Sequence, residues 1–211
     1  MFIYLHGFAS SPNSAKAKYI SDRFAEIDVN IQIPDLNFGD FSHLTISRQI
    51  NQVTSLFSSS PITLIGSSLG GLTAAHIANK YKQVQRLVLL APAFGFLSHW
   101  LSKLGDEQLH RWQEEKYLMV HHYGEKRELP LSYDFVTDAL EYQEDLLTRP
   151  VSTLILHGLD DEVIPIQASR DFAKSRPWVE LVELDSDHAL GNTLFAIWQA
   201  IQVECQLPTM L

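Results

Sequence analysis

Cysteine is nearly absent from this chain. Cys205 is the only one in 211 residues, which excludes an intramolecular disulfide and suits a reducing compartment. Basic residues are also few. Lys and Arg number 16 against 25 Asp and Glu, a net charge of −9. Such a chain lacks the cationic face that phosphate neutralisation requires, so a nucleic-acid partner or docking on an anionic membrane is not expected. Long hydrophobic runs are missing. The longest, Leu87–Leu97, is broken by Pro92 and Gly95 and falls short of the roughly 18 residues of a membrane span. The opening Met1–Gly7 has no basic n-region and no h-region, so a cytoplasmic protein without a signal peptide is the expectation. No G-x-x-x-x-G-K-[ST] loop occurs, and no G-x-G-x-x-G follows the first apolar run, which argues against nucleotide binding.

What remains is an ordinary globular composition, with 45% hydrophobic and 19% charged residues. The length suits one domain, or one domain carrying an insertion. Short apolar runs alternate with longer amphipathic ones. Strands are predicted at Phe2–Leu5, Val29–Ile33, Pro61–Ile65, Arg86–Leu90, Val151–Leu156 and Trp178–Leu184. Helices are predicted from Ser11-Pro12 to about Glu26, over 43–58, 69–81 and 167–175, and over Leu190–Val203. Between 93 and 150 the rhythm changes. One or two helices over Leu101–Met119, a hairpin of Tyr117–Tyr123 with Arg127–Ser132, and a helix over Tyr133–Leu147 are expected there. Alternation of nearly continuous apolar strands with helices implies an α/β fold: a six-stranded parallel sheet covered on both faces. The core is then 1–92 plus 151–211, with 93–150 a cap, or lid, inserted after the fourth strand.

The most specific motif is Gly66-Ser67-Ser68-Leu69-Gly70-Gly71. It fits G-x-S-x-G between an apolar strand and a helix, the setting of a nucleophile elbow with Ser68 at its apex. A serine nucleophile needs a base. Of the nine histidines, His188 follows the last predicted strand, at the sheet edge where α/β proteins gather their chemistry. His121-His122 is a poor metal pair, because neighbours on a strand face opposite ways, and no metal or organic cofactor is expected. The base needs a carboxylate. Asp160, Asp161 and Glu162 follow the fifth strand, and with Asp161 the order is Ser, Asp, His. Asp187 adjoins the histidine and is less suitable. Backbone N–H groups of Leu69 and of Phe8, in the loop after the first strand, are the expected oxyanion donors. His6 reads as a loop-packing residue. Ser10 and Ser11 read equally well as caps or as anion contacts.

Three separated signatures resemble the α/β-hydrolase superfamily over nearly the full length: His6-Gly7, Gly66–Gly71, and His157-Gly158-x-x-Asp161-x-x-Ile164-Pro165 followed by Asp187-His188. In this pattern the acid stands fifth, and the resemblance therefore implies Asp161. The opening Tyr4-Leu5-His6-Gly7-Phe8-Ala9-Ser10-Ser11-Pro12 and the stretch to Lys18 are similar to those of the small YqiA-type esterases. The acid loop also resembles that of acyl-protein thioesterase relatives. The two antiparallel strands that often precede the His-Gly loop are missing.

Together these readings lead to the expectation of a cofactor-free serine hydrolase acting on a small-molecule ester or thioester through Ser68, His188 and Asp161. Aromatics at the insertion and its entry, Phe94, Phe96 and Trp100 with Trp112 and Tyr117, are expected either to line an acyl pocket or to pack the cap. The same triad could serve C–C bond hydrolysis, and a non-catalytic receptor could use the cap as a ligand lid. Cys205 reads as a small buried hydrophobe. Substrate identity and oligomeric state are not encoded in any recognisable motif.

Overall fold

The computed structural model of the protein describes residues 1–208. Six strands form one parallel sheet: β1 (Phe2–Leu5), β2 (Ile31–Gln32), β3 (Ile62–Ser67), β4 (Val84–Leu90), β7 (Ser152–Gly158) and β8 (Val179–Leu184). Their spatial order is β2-β1-β3-β4-β7-β8. The remaining two, β5 (Tyr117–His122) and β6 (Arg127–Ser132), pair as a separate antiparallel hairpin in the segment between β4 and β7. The chain leaves β1 toward β2 and then returns across β1 to build β3. A topological switch point therefore lies between β1 and β3, the place where α/β sheets open a crevice at their carboxyl ends.

Strand side chains alternate between two cores, as a period of two requires. Ile3, Leu5, Ile62 and Leu64 face one side, where they meet α2 (Ile46–Thr54), α3 (Leu69–Lys80) and α7 (Ile166–Lys174). Tyr4, Ile65, Val88 and Leu90 face the other, against α1 (Ala15–Glu26) and α8 (Leu194–Glu204). The segment after β4 adds α4 (Phe96–Leu104), α5 (Asp106–Glu115) and α6 (Asp134–Ala139). Its Trp112, Leu131 and Phe135 are buried in the first core, so the segment is packed into the sheet's own hydrophobic layer.

Several boundaries differ from the predicted ones, each for a local reason. The helix expected at Ser11-Pro12 begins at Ala15. Ser11 instead forms a turn, its Oγ accepting from Asn13 N–H at 3.2 Å, and Ser14 is the cap, its Oγ accepting from Ala17 N–H. Residues 43–58 divide into a 3-10 turn, Phe41–His43, and α2, because Leu44 is extended and Thr45 caps a new start. Over Tyr133–Leu147 only α6 and a 3-10 turn, Glu144–Leu146, are helical. The rest is held by tertiary bonds: Glu144 Oε1 accepts from Gly95 N–H, and Arg176 donates to the carbonyls of Glu144 and Leu147. The helix α4 begins five residues before the predicted Leu101, at Phe96. α8 begins at Leu194, after a left-handed Leu190. β2 is two residues long rather than five.

Candidate active site

The turn from β3 into α3 is built by glycines on both sides of Ser68. A methyl group on Gly66 would stand 2.5 Å from the Gly70 carbonyl oxygen, and one on Gly70 would collide with the carbonyls of Leu5 and His6. Only residues without Cβ allow helix and strand to approach this closely. Ser68 itself takes φ +52° and ψ −121°, a conformation that costs an L-residue of order 1–3 kcal/mol. The surrounding bonds hold it there. Ser68 N–H donates to Leu90 O at 2.9 Å, and its carbonyl accepts from Gly71, Leu72 and Ala93. The hydroxyl is thereby aimed out of the sheet at the carboxyl end of β3.

His188, in the loop after β8, meets it there. His188 Nε2 lies 3.0 Å from Ser68 Oγ, and Nδ1 lies 2.7 Å from Asp161 Oδ2. The histidine is partly exposed, at 22%, and the Asp161 side chain is fully buried. Oδ1 of Asp161 accepts from the N–H groups of Val163 and Ile164 at 2.9 and 2.8 Å. A second histidine completes the set. His157 Nε2 is 3.1 Å from Asp161 Oδ2 and 2.9 Å from Ile164 O, while Nδ1 accepts from Ser169 Oγ. Burial opposes ionisation of Asp161. The bonds from His157, His188 and Ile164 outweigh it and hold the carboxyl well below the usual carboxylate range. The residues quoted from the sequence as Ser68, Asp161 and His188 are thus brought together. Asp187 is turned away, its Oδ1 accepting from Ala189 and Leu190 N–H.

Ser68 and His188 open on a cavity of about 630 Å3 between the sheet edge and the segment that joins β4 to β7. Phe8, Phe96, Trp100, Val120, Val163 and Leu194 supply apolar wall. Phe8 is fixed by rings on three sides, 5.6, 5.5 and 5.5 Å from Phe41, Trp100 and Phe135. Phe8 and Leu69 both line the cavity, and among the described residues the N–H of neither takes part in a turn, loop or cap hydrogen bond. Phe96 and Trp100, one helical turn apart on α4, line the cavity. Phe94 does not. It is 2% exposed and stacked on Phe172 at 4.0 Å, because the positive φ of Gly95 separates its direction from that of α4. Trp112 is buried, with Nε1–H donating to Leu131 O, and Tyr117 is exposed away from the cavity. Ser10 reaches the wall and Ser11 does not.

His6 is a packing residue: its Nε2 accepts from Leu36 N–H at 2.9 Å. His121 and His122 separate as strand neighbours must, one at the cavity, the other buried against Phe41. Sequence reasoning passed over Lys16, Val120, Tyr123 and Val163, all on the cavity wall. Lys16 stood within the quoted opening motif. Among the described residues no group of His, Cys, Asp or Glu is arranged to hold a metal ion, and no helix is long and apolar enough to cross a membrane.

Residues 1–205 match the family described as Uncharacterised protein family (UPF0227). The chain belongs to this YqiA-type family. No curated protein matches it. Among solved structures, mouse alpha/beta hydrolase domain-containing protein 10 is similar, at TM-score 0.77 and 21% identity over 97% of this chain and 89% of that one. Est1E of Butyrivibrio proteoclasticus, solved with ferulic acid, gives TM-score 0.76 and 20% identity over 97% and 89%. The metagenome-derived lipolytic enzymes LipS and LipT are represented at TM-score 0.74 and 16% identity over 97% and 93%. These likenesses establish the α/β-hydrolase fold.

Proposed function

We propose that this protein is a serine hydrolase that cleaves carboxylic esters or thioesters through an acyl-enzyme. One observation carries the reading: Ser68 Oγ, at a strained strand-to-helix turn, is hydrogen-bonded to His188, which is hydrogen-bonded in turn to a buried, ionised Asp161. In the first step His188 Nε2 accepts the Ser68 proton as Oγ attacks the carbonyl carbon. The N–H groups of Leu69 and Phe8 receive the oxyanion. Collapse expels the alcohol or thiol, protonated by His188. Water, deprotonated by the same imidazole, then releases the acid. Asp161 fixes the tautomer with Nδ1–H toward itself and stabilises the imidazolium. No step calls for a metal or organic cofactor.

Residues 93–150 act as the lid over this site, with Phe96 and Trp100 forming the wall for the acyl group. That wall suits a medium-chain or aromatic acyl group, in keeping with the ferulic acid held by Est1E. Labelling with a fluorophosphonate probe, comparing wild type with Ser68→Ala, tests the nucleophile. A chain-length series of nitrophenyl esters then tests the wall. Folded wild type that takes up no label would overturn the assignment of Ser68, and a preference for acetyl esters would overturn that of the wall.

A further inference from the structure

The cavity carries a charge that the hydrolase reading leaves unused. The protein has a net charge of −9, yet the wall around Ser68 includes two lysines, Lys16 and Lys103, and no Asp or Glu. The two lysines differ. Lys103 is bound to the Glu162 carbonyl at 2.8 Å in an exposed position. Lys16 projects from the first turn of α1, and its Nζ reaches the carbonyl of His188 at 3.5 Å, the long limit of a hydrogen bond. It belongs to none of the ion pairs among the described residues. A partly buried ammonium with one weak neutral acceptor keeps donors free for an anion.

Its side of the cavity is identified by the chemistry. His188 must hand its proton to the departing alcohol or thiol, so the leaving group lies on the histidine's flank. The Lys16 nitrogen lies 3.5 Å from the backbone carbonyl of the same histidine, and the lysine lines the same cavity as Ser68 and His188. We infer that Lys16 is a specificity residue which receives a carboxylate or phosphate carried on the leaving alcohol or thiol, close to the scissile bond. This rests on the hydrolase reading above. Burial pulls the ammonium down to about 8, against the opposing pull of Asp161 and Asp187, so it remains largely charged at pH 7. The titratable groups facing it are Asp161 from the loop after β7 and Asp187 with His188 from the loop after β8.

The test uses butyrate esters that differ only in the leaving group: carboxymethyl, its neutral isostere carbamoylmethyl, and 2-phosphoethyl. Acid release is followed by pH-stat for wild type, Lys16→Met and Lys16→Arg. The readout is the ratio of kcat/KM for the anionic ester over the neutral one, which a general packing defect does not move. A charge-assisted hydrogen bond predicts a ratio of about 10 to 100 in wild type, collapse by at least tenfold in Lys16→Met, and substantial retention in Lys16→Arg. A larger ratio for 2-phosphoethyl than for carboxymethyl identifies phosphate as the anion. No preference in wild type, or the same ratio in Lys16→Met, overturns the inference. Should Lys16→Met not fold, wild type and Lys16→Arg decide: a preference for the anionic ester in both is expected, and no preference in wild type overturns the inference.

If wild type hydrolyses none of these esters or the nitrophenyl series, the hydrolase reading fails by itself. Calorimetry with butoxyacetate and butoxyacetamide, which cannot react, then judges Lys16 separately. Tighter anion binding that disappears in Lys16→Met upholds the inference, and equal binding of the two overturns it.

Discussion

Asp161→Asn removes one charge and replaces one oxygen by a donor, and the surroundings of Asp161 make the consequence calculable. Three donors converge on the carboxylate. Val163 and Ile164 N–H take Oδ1 and His188 Nδ1–H takes Oδ2, while His157 Nε2, 3.1 Å from Oδ2, is hydrogen-bonded to the Ile164 carbonyl. An asparagine amide has one acceptor oxygen. With that oxygen on the backbone pair, the NH2 group faces His188, whose Nδ1 can accept from it only after the imidazole proton has moved to Nε2. What is lost is one charge-assisted hydrogen bond, about 1–3 kcal/mol. For a chain of this size each kcal/mol is about 2–4 °C, so Tm should fall by roughly 2–12 °C. The activity loss has a separate cause. Without the carboxylate, His188 loses the partner that keeps its proton on Nδ1, and Nε2 is no longer fixed as the acceptor for Ser68. In a serine protease the same change lowers turnover by about 10⁴.

The assays are nitrophenyl ester turnover and thermal unfolding, both across pH. The sign follows from the direction of the Asp161 shift. A carboxyl whose folded pKa lies below its unfolded value stabilises the fold fully above the unfolded value, about 3.9, and loses that contribution as pH falls through the folded one. Asparagine has no such contribution to lose. The Tm gap between wild type and Asp161→Asn should therefore be constant from pH 6 to 8 and narrow below about pH 4. Turnover within tenfold of wild type would place the acid elsewhere. A gap that is constant down to pH 3 would refute the account of its ionisation.

Further outcomes follow from individual contacts. Gly70→Ala should unfold the protein or cost more than about 3 kcal/mol in a urea titration, because the new methyl meets the backbone carbonyls of Leu5 and His6, which cannot yield; a loss under about 1 kcal/mol would show the turn to be adaptable. Trp100→Ala should enlarge the cavity and move the optimum of a nitrophenyl ester series toward longer acyl chains, with an unchanged optimum counting against Phe96 and Trp100 as the acyl wall. Burial pushes the Cys205 thiol up to about 12, so iodoacetamide at pH 8 should leave the native protein unlabelled and alkylate it only in guanidinium.

The sheet was legible because its strands are short, apolar and bounded by Gly or Pro, and because burial on both faces leaves few other assignments for such runs. The elbow and the two following loops were legible for a related reason. Positions such as Gly66 and Gly70 admit no side chain at all, and a constraint that strict leaves a motif. Helix starts were less so. Ser11-Pro12 and Ser14 both carry capping chemistry, and which of them caps is decided by Ser11 turning back on Asn13. The break after Ala139 was not legible, since the bonds that replace the helix come from Asn79 and Arg176, far off in sequence.

The segment between β4 and β7 shows what composition leaves undecided. Phe94, Phe96, Trp100, Trp112 and Tyr117 look alike as a cluster of aromatics, yet only Phe96 and Trp100 reach the cavity. The division follows the backbone between them. Gly95, at φ +68°, puts Phe94 on the sheet side against Phe172, and the turn of α4 then aligns the next two toward Phe8 and Phe135. Phe8 links the two roles, because its ring packs against Trp100 while its backbone N–H is the proposed oxyanion donor. A change in the wall therefore also touches the backbone that would hold the oxyanion. Trp100→Ala removes one of three rings that fix Phe8, so it should lower kcat for every ester in addition to shifting the chain-length optimum. Trp100→Phe, which retains a ring against Phe8, should shift the optimum with a smaller loss of kcat. Equal loss of kcat in both variants would separate the acyl wall from the oxyanion loop.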